Sequence, residues 1–416
     1  MEINTQNRLH IKIFAGLLFA LVFGLVFNSQ VAIKIYDFLG KLFLNALKML
    51  IVPLILSSII SAILNLPSTK GLGKLGAQTI IYYLTSSLLA IVTGLILVFI
   101  IKPGILNGAP VGNLLGLNEN SLPQGLELTA GNISDMKDIF LRMIPPNIVS
   151  AAAKGQMLGL IFFAILFSIS AQTIDTKHKS LLANFSNAIF KSSMKMTEYV
   201  MYFAPIGVFA LVAKVIAQTG LSSIKPLLSF FITVVLSLGI HMFITLSLIL
   251  KFFKVSPITH LKNMLPALLT AFSTASSSAT LPITLECIET RAKIPNKISA
   301  FVLPLGATVN MDGTALYECV AALFIAQAMG IKISFFKALV VLITALITSI
   351  GVAGIPAASL VAIAVILNVI GLPVEAIGPI LAVDRILDMM RTSVNVFSDS
   401  CGAVVIWQIN KKRQIN

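Results

Sequence analysis

The sequence predicts an all-α polytopic membrane protein. Of its 416 residues, 57% are hydrophobic and only 11% are charged, and the mean hydropathy is +0.96, far above that of a soluble domain of average composition. Continuous apolar runs of about 20 residues, the length that crosses a bilayer as a helix, recur along the chain. Their polarity does not alternate as in the strands of an outer-membrane barrel, so helices are the expected spanning elements.

The apolar runs and the charges between them predict the topology. The runs lie near residues 11–28, 40–64, 76–101, 156–172, 197–217 and 226–250, with further runs after residue 294. The net charge of +14 comes from lysines and arginines scattered at run ends, which indicates positive-inside topology rather than nucleic-acid binding. We expect a multi-pass protein of the cell inner (plasma) membrane, with no cleavable signal and with both termini in the cytoplasm.

Motifs of catalysis and metal binding are missing from the sequence. It has no HExxH, no phosphate-cradling glycine-rich loop and no GxGD, so the residues predict neither an enzyme nor a cofactor. Cys287, Cys319 and Cys401 are odd in number, lack metal spacing and are interpreted as buried free thiols. His241, inside an apolar run, is interpreted as a neutral buried imidazole.

Two polar intervals separate the runs. Residues 102–146 are rich in Gly, Asn, Pro and Leu and predict an extramembrane excursion. Residues 173–195 carry several charges and are predicted to connect helices on the cytoplasmic side.

Two later segments have apolar arms too short to cross a bilayer, joined by small residues. The first break is Ser273–Thr280, followed by Leu281 and Pro282, and the second is Ser349–Pro356. Such pairs of interrupted segments predict re-entrant hairpins at a transporter binding site. Kinked spanning helices remain the alternative.

Between these segments, Gly306–Thr314 interrupts an apolar run that covers residues 299–330. Asn310 and the glycines predict an unwound turn. Its carbonyl oxygens and the Asp312 carboxylate are the hard oxygen ligands that a small cation such as sodium requires.

The last apolar segment carries a polar stripe. At about 100° per helical residue, its members fall within an arc of roughly 80°: Asp384, Asp388, Arg391, Asn395 and Asp399. Charged groups inside a membrane are costly and mark solute or ion pathways. A salt-bridged structural helix is the alternative, which the excess of carboxylates over guanidinium groups disfavours.

The Asn310–Thr314 string, the serine-rich first tip and the stripe from Asp388 to Asp399 together resemble the sodium-coupled dicarboxylate/amino acid symporters, the family that includes glutamate and aspartate transporters. The resemblance covers nearly the whole chain. It implies a homotrimer in the lipid bilayer, with eight transmembrane helices plus two re-entrant helical hairpins per protomer. It further implies inverted repeats and an elevator mechanism, in which a transport domain slides along a scaffold.

The domain boundaries that the resemblance implies are as follows. Scaffold helices 1–2 occupy residues 1–75, transport-domain helix 3 occupies 76–101, and a loop with scaffold helices 4–5 occupies 102–225. The transport-domain core at 226–416 holds helix 6, hairpin 1 (about 256–293), helix 7 (about 294–330), hairpin 2 (about 334–373) and helix 8 (about 374–410).

The resemblance also implies a substrate pocket. Asp388 would accept a substrate ammonium group, and Arg391 would bind a side-chain carboxylate through two parallel hydrogen bonds. Because the chain has both residues, the implied substrate is L-aspartate or L-glutamate. The remaining implied pocket residues lie at the hairpin tips, the central break and the stripe: Ser276, Ser277, Ser278, Met311, Thr314, Ile355, Thr392 and Asn395.

Three sodium sites are implied in the same way, with sodium as a co-transported ligand. The first joins Asp399, Gly306, Asn310 and Asn395; the second joins Asp312, Asn310, Tyr82, Thr85 and Ser86; the third joins Thr308, Ser349, Ile350 and Val352.

Several alternatives stay open. Glu318 is either a proton or potassium coupling residue or a structural acid, so proton-coupled symport competes with sodium-coupled symport. Arg385 either supports the pocket or pairs with Asp384. A cystine or C4-dicarboxylate carrier, an anion channel and a non-transporting sensor are the other functions considered.

Overall fold

A computed structural model of the chain describes residues 2–64, 73–117, 144–154, 156–351 and 358–414. The described part is predominantly helical, as the apolar runs predict. The helices are α1 (Glu2–Val26), α2 (Gln30–Leu64), α3 (Gly73–Ile101), α4 (Ile148–Ala153), α5 (Met157–Ala171), α6 (Thr176–Tyr202), α7 (Ala204–Thr219), α8 (Ile224–Ile240), α9 (Leu246–Phe252), α10 (Pro257–Thr274), α11 (Ser277–Glu286), α12 (Asn296–Val309), α13 (Asp312–Ala328), α14 (Phe335–Gly351), α15 (Ala358–Ile370) and α16 (Leu381–Gln414). Two short strands, β1 (Ile105–Leu106) and β2 (Ala109–Pro110), pair antiparallel after α3.

Four stretches of the described chain are long and apolar enough to cross a membrane by length and composition. They are Gln30–Ser61, Leu75–Ile101, Ala204–Phe252 and Asn296–Ala328. Shorter apolar helices lie at Ala15–Val26, Gly159–Ala171, Phe335–Ser349 and Ser359–Ile370. These stretches agree with a helical membrane protein.

One group of helices packs around α2. Helix α1 lies along α7, and α2 contacts α5, α6 and α7. The Lys214 ammonium on α7 donates to the Asp37 carboxylate on α2 at 2.7 Å. This ion pair joins the two helices within an apolar interface.

A second group packs around α13. Helix α13 contacts α3, α14, α15 and α16, while α10 and α12 pack on α16. Every residue of α13 except Gln327 is buried, which suits a helix that is apolar nearly all round. Helix α13 therefore forms the centre of this group.

The first predicted hairpin is a pair of helices, α10 and α11, joined by a tight reversal. Ala275 adopts a left-handed conformation (φ 50°), and Ser276 is extended and accepts a hydrogen bond from the Ala279 amide at 3.2 Å. A serine at this position satisfies an amide that the helix start leaves unpaired. Helices α14 and α15, the predicted arms of the second hairpin, pack against each other; residues 352–357 between them lie outside the described chain.

The predicted interruption near Asn310 is confirmed. Helix α12 ends at Val309, Asn310 is extended, Met311 is non-helical with φ −122° and ψ 60°, and α13 begins at Asp312. By contrast, the interval 173–195 is mostly helical, because α6 starts at Thr176 directly after Asp175. The Asp175 carboxylate caps this helix by accepting from the His178 amide at 3.1 Å. The three cysteines are free and buried, as predicted.

Candidate functional site

The polar stripe forms one buried face of α16. Its members expose between 0% and 7% of their surface: Asp384, Asp388, Arg391, Asn395 and Asp399. Helical spacing alone predicts this common orientation. The stripe faces the break between α12 and α13 rather than solvent, since Asn395 and Asp399 both bond residues at that break.

Arg391 is the centre of the charged part of the stripe. Its Nη2 donates to Asp388 Oδ1 at 2.9 Å and lies 3.3 Å from Asp384 Oδ1. Its Nε and Nη1 are buried and have no hydrogen-bond partner in the described part of the chain. Since a buried donor without a partner costs about 1–3 kcal/mol or more, these two nitrogens favour an anionic ligand.

A tyrosine on α13 supports this arginine. The Tyr317 hydroxyl donates to Asp384 Oδ1 at 2.8 Å, and its ring lies under the Arg391 guanidinium. Asp384 therefore has two partners of its own. Arg385 does not bond Asp384; its Nη1 donates to Asp388 Oδ2 at 3.3 Å, so the pairing of Arg385 with Asp384 considered from the sequence is not observed.

Asn395 joins α16 to the start of α13. Its Oδ1 accepts from the Gly313 amide at 2.8 Å, and its Nδ2 donates to the Thr314 hydroxyl at 3.0 Å. Thr392 donates to the Asp388 carbonyl at 2.8 Å. Met311 is buried beside them with 2% exposure, so these predicted pocket residues come together.

The predicted residues of the first hairpin tip divide into two kinds. Ser276 and Ser277 are buried, and Ser276 caps α11. Ser278 is exposed. Ile355, the residue predicted from the second tip, lies outside the described residues.

Asp312 is surrounded by hydrogen-bond donors. Two serines of α3 bond one carboxylate oxygen, whereas His241 and Ser398 bond the other. The distances are 3.3 Å from Ser86, 2.7 Å from Ser87, 2.6 Å from Ser398 and 3.0 Å from His241 Nε2. A carboxylate has about four acceptor positions, so these donors occupy the carboxylate that the sequence assigns to a cation.

A second carboxylate cluster lies next to the first. Asn310 Nδ2 donates to Asp399 Oδ1 at 2.9 Å, and Asn310 Oδ1 lies 3.3 Å from the Ser86 hydroxyl, the same distance that separates this hydroxyl from Asp312 Oδ1. Gly306 packs so closely here that an added Cβ would lie 2.5 Å from Asp399 Oδ1. The amide of Asn310 thus connects the two predicted sodium carboxylates.

The other predicted sodium ligands are more dispersed. Tyr82 is buried and its hydroxyl donates to the Ser398 carbonyl at 3.4 Å. Thr85 and Thr308 are exposed, and their hydroxyls bond carbonyls of their own helices. Ser349 is buried and donates to the Leu346 carbonyl; Ile350 follows it in α14, and Val352 lies outside the described residues.

Glu318 is fully buried on α13. Its Oε2 accepts from the Thr348 hydroxyl of α14 at 2.9 Å, and its Oε1 has no hydrogen-bond partner in the described part of the chain. This carboxyl therefore joins the central helix to one arm of the second hairpin.

Sequence reasoning missed four residues of this site: Ser87, His241, Tyr317 and Ser398. Ser398 lies about 20° beyond the Arg391 edge of the stripe by helical angle, so a wider arc would have included it. Ser86 and Ser87 share the buried face of α3, whereas Thr85 faces away. His241 begins a π-helical turn (His241–Thr245). Such turns are frequent at functional sites, but the sequence does not predict this one.

Comparison with known proteins identifies the family. A family description, the sodium:dicarboxylate symporter family, matches residues 9–409. The chain is 32% identical over 400 residues to the proton/glutamate-aspartate symporter of Escherichia coli K12, covering 94% of this chain and 91% of the relative. It is 34% identical over 398 residues to the proton/sodium-glutamate symport protein of Geobacillus stearothermophilus, with 95% and 93% covered. It is also 34% identical over 421 residues to excitatory amino acid transporter 3 of Oryctolagus cuniculus, with 91% and 80% covered. With a family match over almost its full length, this chain belongs to the sodium:dicarboxylate symporter family.

Proposed function

We propose that this protein is a secondary active symporter that imports L-aspartate or L-glutamate, coupled to sodium ions, by an elevator mechanism. The observation that carries the proposal is the buried Arg391, whose Nε and Nη1 have no hydrogen-bond partner in the described chain. A buried guanidinium group with two donors that lack a partner is suited to bind a carboxylate, and the bidentate pair is formed by Nη2 together with Nη1 or Nε. The names of the relatives, which specify glutamate and aspartate, support the same substrates.

The pocket chemistry suits an amino dicarboxylate. In the proposed complex, Arg391 binds the substrate side-chain carboxylate and Asp388 accepts its ammonium group. The hydroxyls of Thr314 and Thr392 supply further hydrogen bonds, and the two hairpin tips hold the α-carboxylate. Since charge-assisted hydrogen bonds are stronger than neutral ones, the two charged residues dominate selectivity.

Sodium coupling is supported by the clusters around Asp312 and Asp399. An acidic amino acid carries a net charge of −1, and its entry against a negative interior costs about 2.3 kcal/mol per 100 mV. At least two cations must accompany it before the membrane potential assists uptake. The serine hydroxyls on Asp312 can rotate to present lone pairs to a cation, and each bound cation then favours the closed pocket.

The assembly proposed for this chain is a homotrimer in the inner (plasma) membrane with both termini in the cytoplasm. Each protomer has eight spanning helices and two re-entrant hairpins arranged as inverted repeats. The helices around α2 form the scaffold, at 1–75 and 102–225, and those around α13 form the transport domain, at 76–101 and 226–416. The helices pack more extensively within each group than between the two groups, which supports the division.

Proton coupling is the second candidate. The buried Glu318 has one carboxyl oxygen without a partner in the described chain, and the Escherichia coli relative is named a proton symporter. A carboxyl that bonds a hairpin arm through Thr348 can exchange a proton as that arm moves.

Radiolabelled L-aspartate uptake into proteoliposomes distinguishes the two candidates. We expect concentrative uptake with an inward sodium gradient and none with choline at equal internal and external pH. Sodium-independent uptake driven by an inward proton gradient would select proton coupling instead. Uptake that equilibrates but never concentrates under either gradient would contradict symport.

A further inference from the structure

Two guanidinium groups share the carboxylate of Asp388, one on each oxygen. Arg391 Nη2 donates to Oδ1 at 2.9 Å, and Arg385 Nη1 donates to Oδ2 at 3.3 Å. With Asp384 included, this cluster holds two carboxylates and two guanidinium groups. Its formal charge is therefore balanced before any substrate enters.

The two arginines are held with different strength. Arg391 has a shorter bond to Asp388, a second carboxylate within 3.3 Å and an aromatic ring beneath it. Arg385 has one longer hydrogen bond, a buried Nε without a partner among the described residues, and a side chain that is 10% exposed. An incoming cation that competes for Asp388 therefore displaces Arg385 rather than Arg391.

We propose that Arg385 is the resident counter-ion of Asp388 and sets how strongly the pocket discriminates for a substrate amino group. This inference rests on the proposed function, in which Asp388 receives the substrate ammonium. An amino dicarboxylate exchanges its ammonium for Arg385 at Oδ2. A dicarboxylate without an amino group leaves Arg385 in place, so Asp388 stays paired and its charge does not repel the ligand.

The consequence is a pocket with reduced preference for the amino group. Without Arg385, the Oδ2 atom of Asp388 would lose this guanidinium group, and the ligand ammonium would take over its neutralising role. L-aspartate and succinate both carry two carboxylates, so loss of the Arg385 charge weakens that part of their binding equally. The ratio of their affinities isolates the effect of Arg385 on the ammonium group.

The test compares L-aspartate with succinate in the full-length protein. The KM for L-aspartate uptake and the Ki of succinate are measured in proteoliposomes, and binding of both probes to purified protein is measured by calorimetry. We expect Arg385→Met to raise the ratio of succinate Ki to L-aspartate KM about tenfold, or 1.4 kcal/mol. Arg385→Lys, which keeps the charge, should stay within about threefold of the parent ratio.

A matched control removes another arginine. Arg291 is exposed at the end of the first hairpin, and Arg291→Met should leave the ratio unchanged. An unchanged ratio in Arg385→Met, a parallel loss of affinity for both probes, or an equal change in the lysine variant would each overturn the inference. If Arg385→Met does not fold, Arg385→Gln is measured under the same criteria.

The proposed function can fail independently of this inference. Binding of both probes without coupled uptake in the parent protein contradicts symport, while the affinity ratio still tests Arg385. Failure of the parent protein to bind either probe overturns both proposals.

Discussion

The guanidinium carbon of Arg391 lies 3.8 Å from the centroid of the Tyr317 ring, and the hydroxyl of the same tyrosine bonds Asp384. One side chain of α13 thus fixes both an arginine and its carboxylate partner on α16. The ring lies against the guanidinium group, and the hydroxyl holds the Asp384 carboxylate 3.3 Å from Arg391 Nη2. The orientation of the Arg391 guanidinium therefore depends on contact between these two helices.

Loss of the Tyr317 ring is expected to weaken acidic amino acid binding. Tyr317→Leu removes a cation–π contact worth about 0.5–2 kcal/mol, so the KM for L-aspartate should rise up to about thirtyfold. Tyr317→Phe keeps the ring and should have a smaller effect. The control is Phe324→Leu, a similar truncation on the same helix where the ring stacks on Phe230. A KM in Tyr317→Leu equal to that of the control would contradict the role of the ring.

Arg391→Cys tests the substrate assignment directly. We expect it to abolish uptake of L-aspartate and L-glutamate and to permit uptake of neutral amino acids such as L-serine, because no guanidinium remains for the side-chain carboxylate. Competition against radiolabelled substrates measures both changes. Because loss of one member of a buried charge cluster can destabilise by about 3–5 kcal/mol, Arg391→Lys is the companion variant. An unchanged affinity of Arg391→Cys for L-aspartate would refute the pocket assignment.

The sequence predicts those parts of this site that depend on one helix or one local break. The placement of Asp384 and Asp399 on a common face follows from helical angle alone, and the end of α12 follows from the Asn310–Gly313 string. Both depend on backbone geometry within a few residues. The structure agrees with the sequence at these points.

Contacts between distant helices could not be predicted in the same way. Ser87 contacts Asp312 because α3 packs on α13 in one particular orientation about its own axis. Thr85 lies two residues away on α3, which at about 100° per residue places it on a different face of the helix. His241 reaches Asp312 from the π-helical turn after α8, where the regular helical angle no longer applies. These residues are set by tertiary packing, which hydrophobic periodicity does not specify.

Ser87→Ala and Thr85→Ala form a matched pair for the cation site proposed at Asp312. Ser87 donates to Asp312 at 2.7 Å, whereas the Thr85 hydroxyl bonds the Ile81 carbonyl on the exposed face. Each variant removes one hydroxyl from α3. We expect Ser87→Ala to raise the sodium concentration for half-maximal uptake by about three- to tenfold, as for loss of a hydrogen bond worth about 1 kcal/mol. Thr85→Ala should not change it.

The opposite result would assign the cation ligands on α3 to different residues. If Thr85→Ala shifts the sodium dependence and Ser87→Ala does not, the cation ligands on α3 are those that the family resemblance implies, and α3 rotates when sodium binds. Uptake is measured at saturating L-aspartate, so that substrate affinity does not contribute.

Gly306 is expected to accept no side chain. A Cβ at this position would lie 2.5 Å from Asp399 Oδ1 and 2.6 Å from the Tyr83 hydroxyl, so Gly306→Ala must displace the carboxylate. Overpacking of this kind costs about 1–3 kcal/mol. The variant should lose sodium-stimulated uptake and melt at a lower temperature than the parent.

Gly239→Ala is the control for this prediction. Gly239 lies inside α8 with no atom within 4 Å of an added Cβ, so alanine should stabilise the helix by up to about 1 kcal/mol. Equal melting temperatures and equal sodium dependence in the two variants would contradict a close approach of Gly306 to Asp399.

Glu318→Gln separates a proton-coupling carboxyl from a structural one. Glutamine keeps the size of the side chain and can still accept from Thr348, but it cannot exchange a proton. We expect the variant to lose the pH dependence of net L-aspartate uptake while its sodium dependence stays that of the parent. Glu286→Gln, at an exposed position on α11, should keep the parent pH profile. A Glu318→Gln variant with the parent pH profile would show that Glu318 serves only to bond the central helix to the second hairpin.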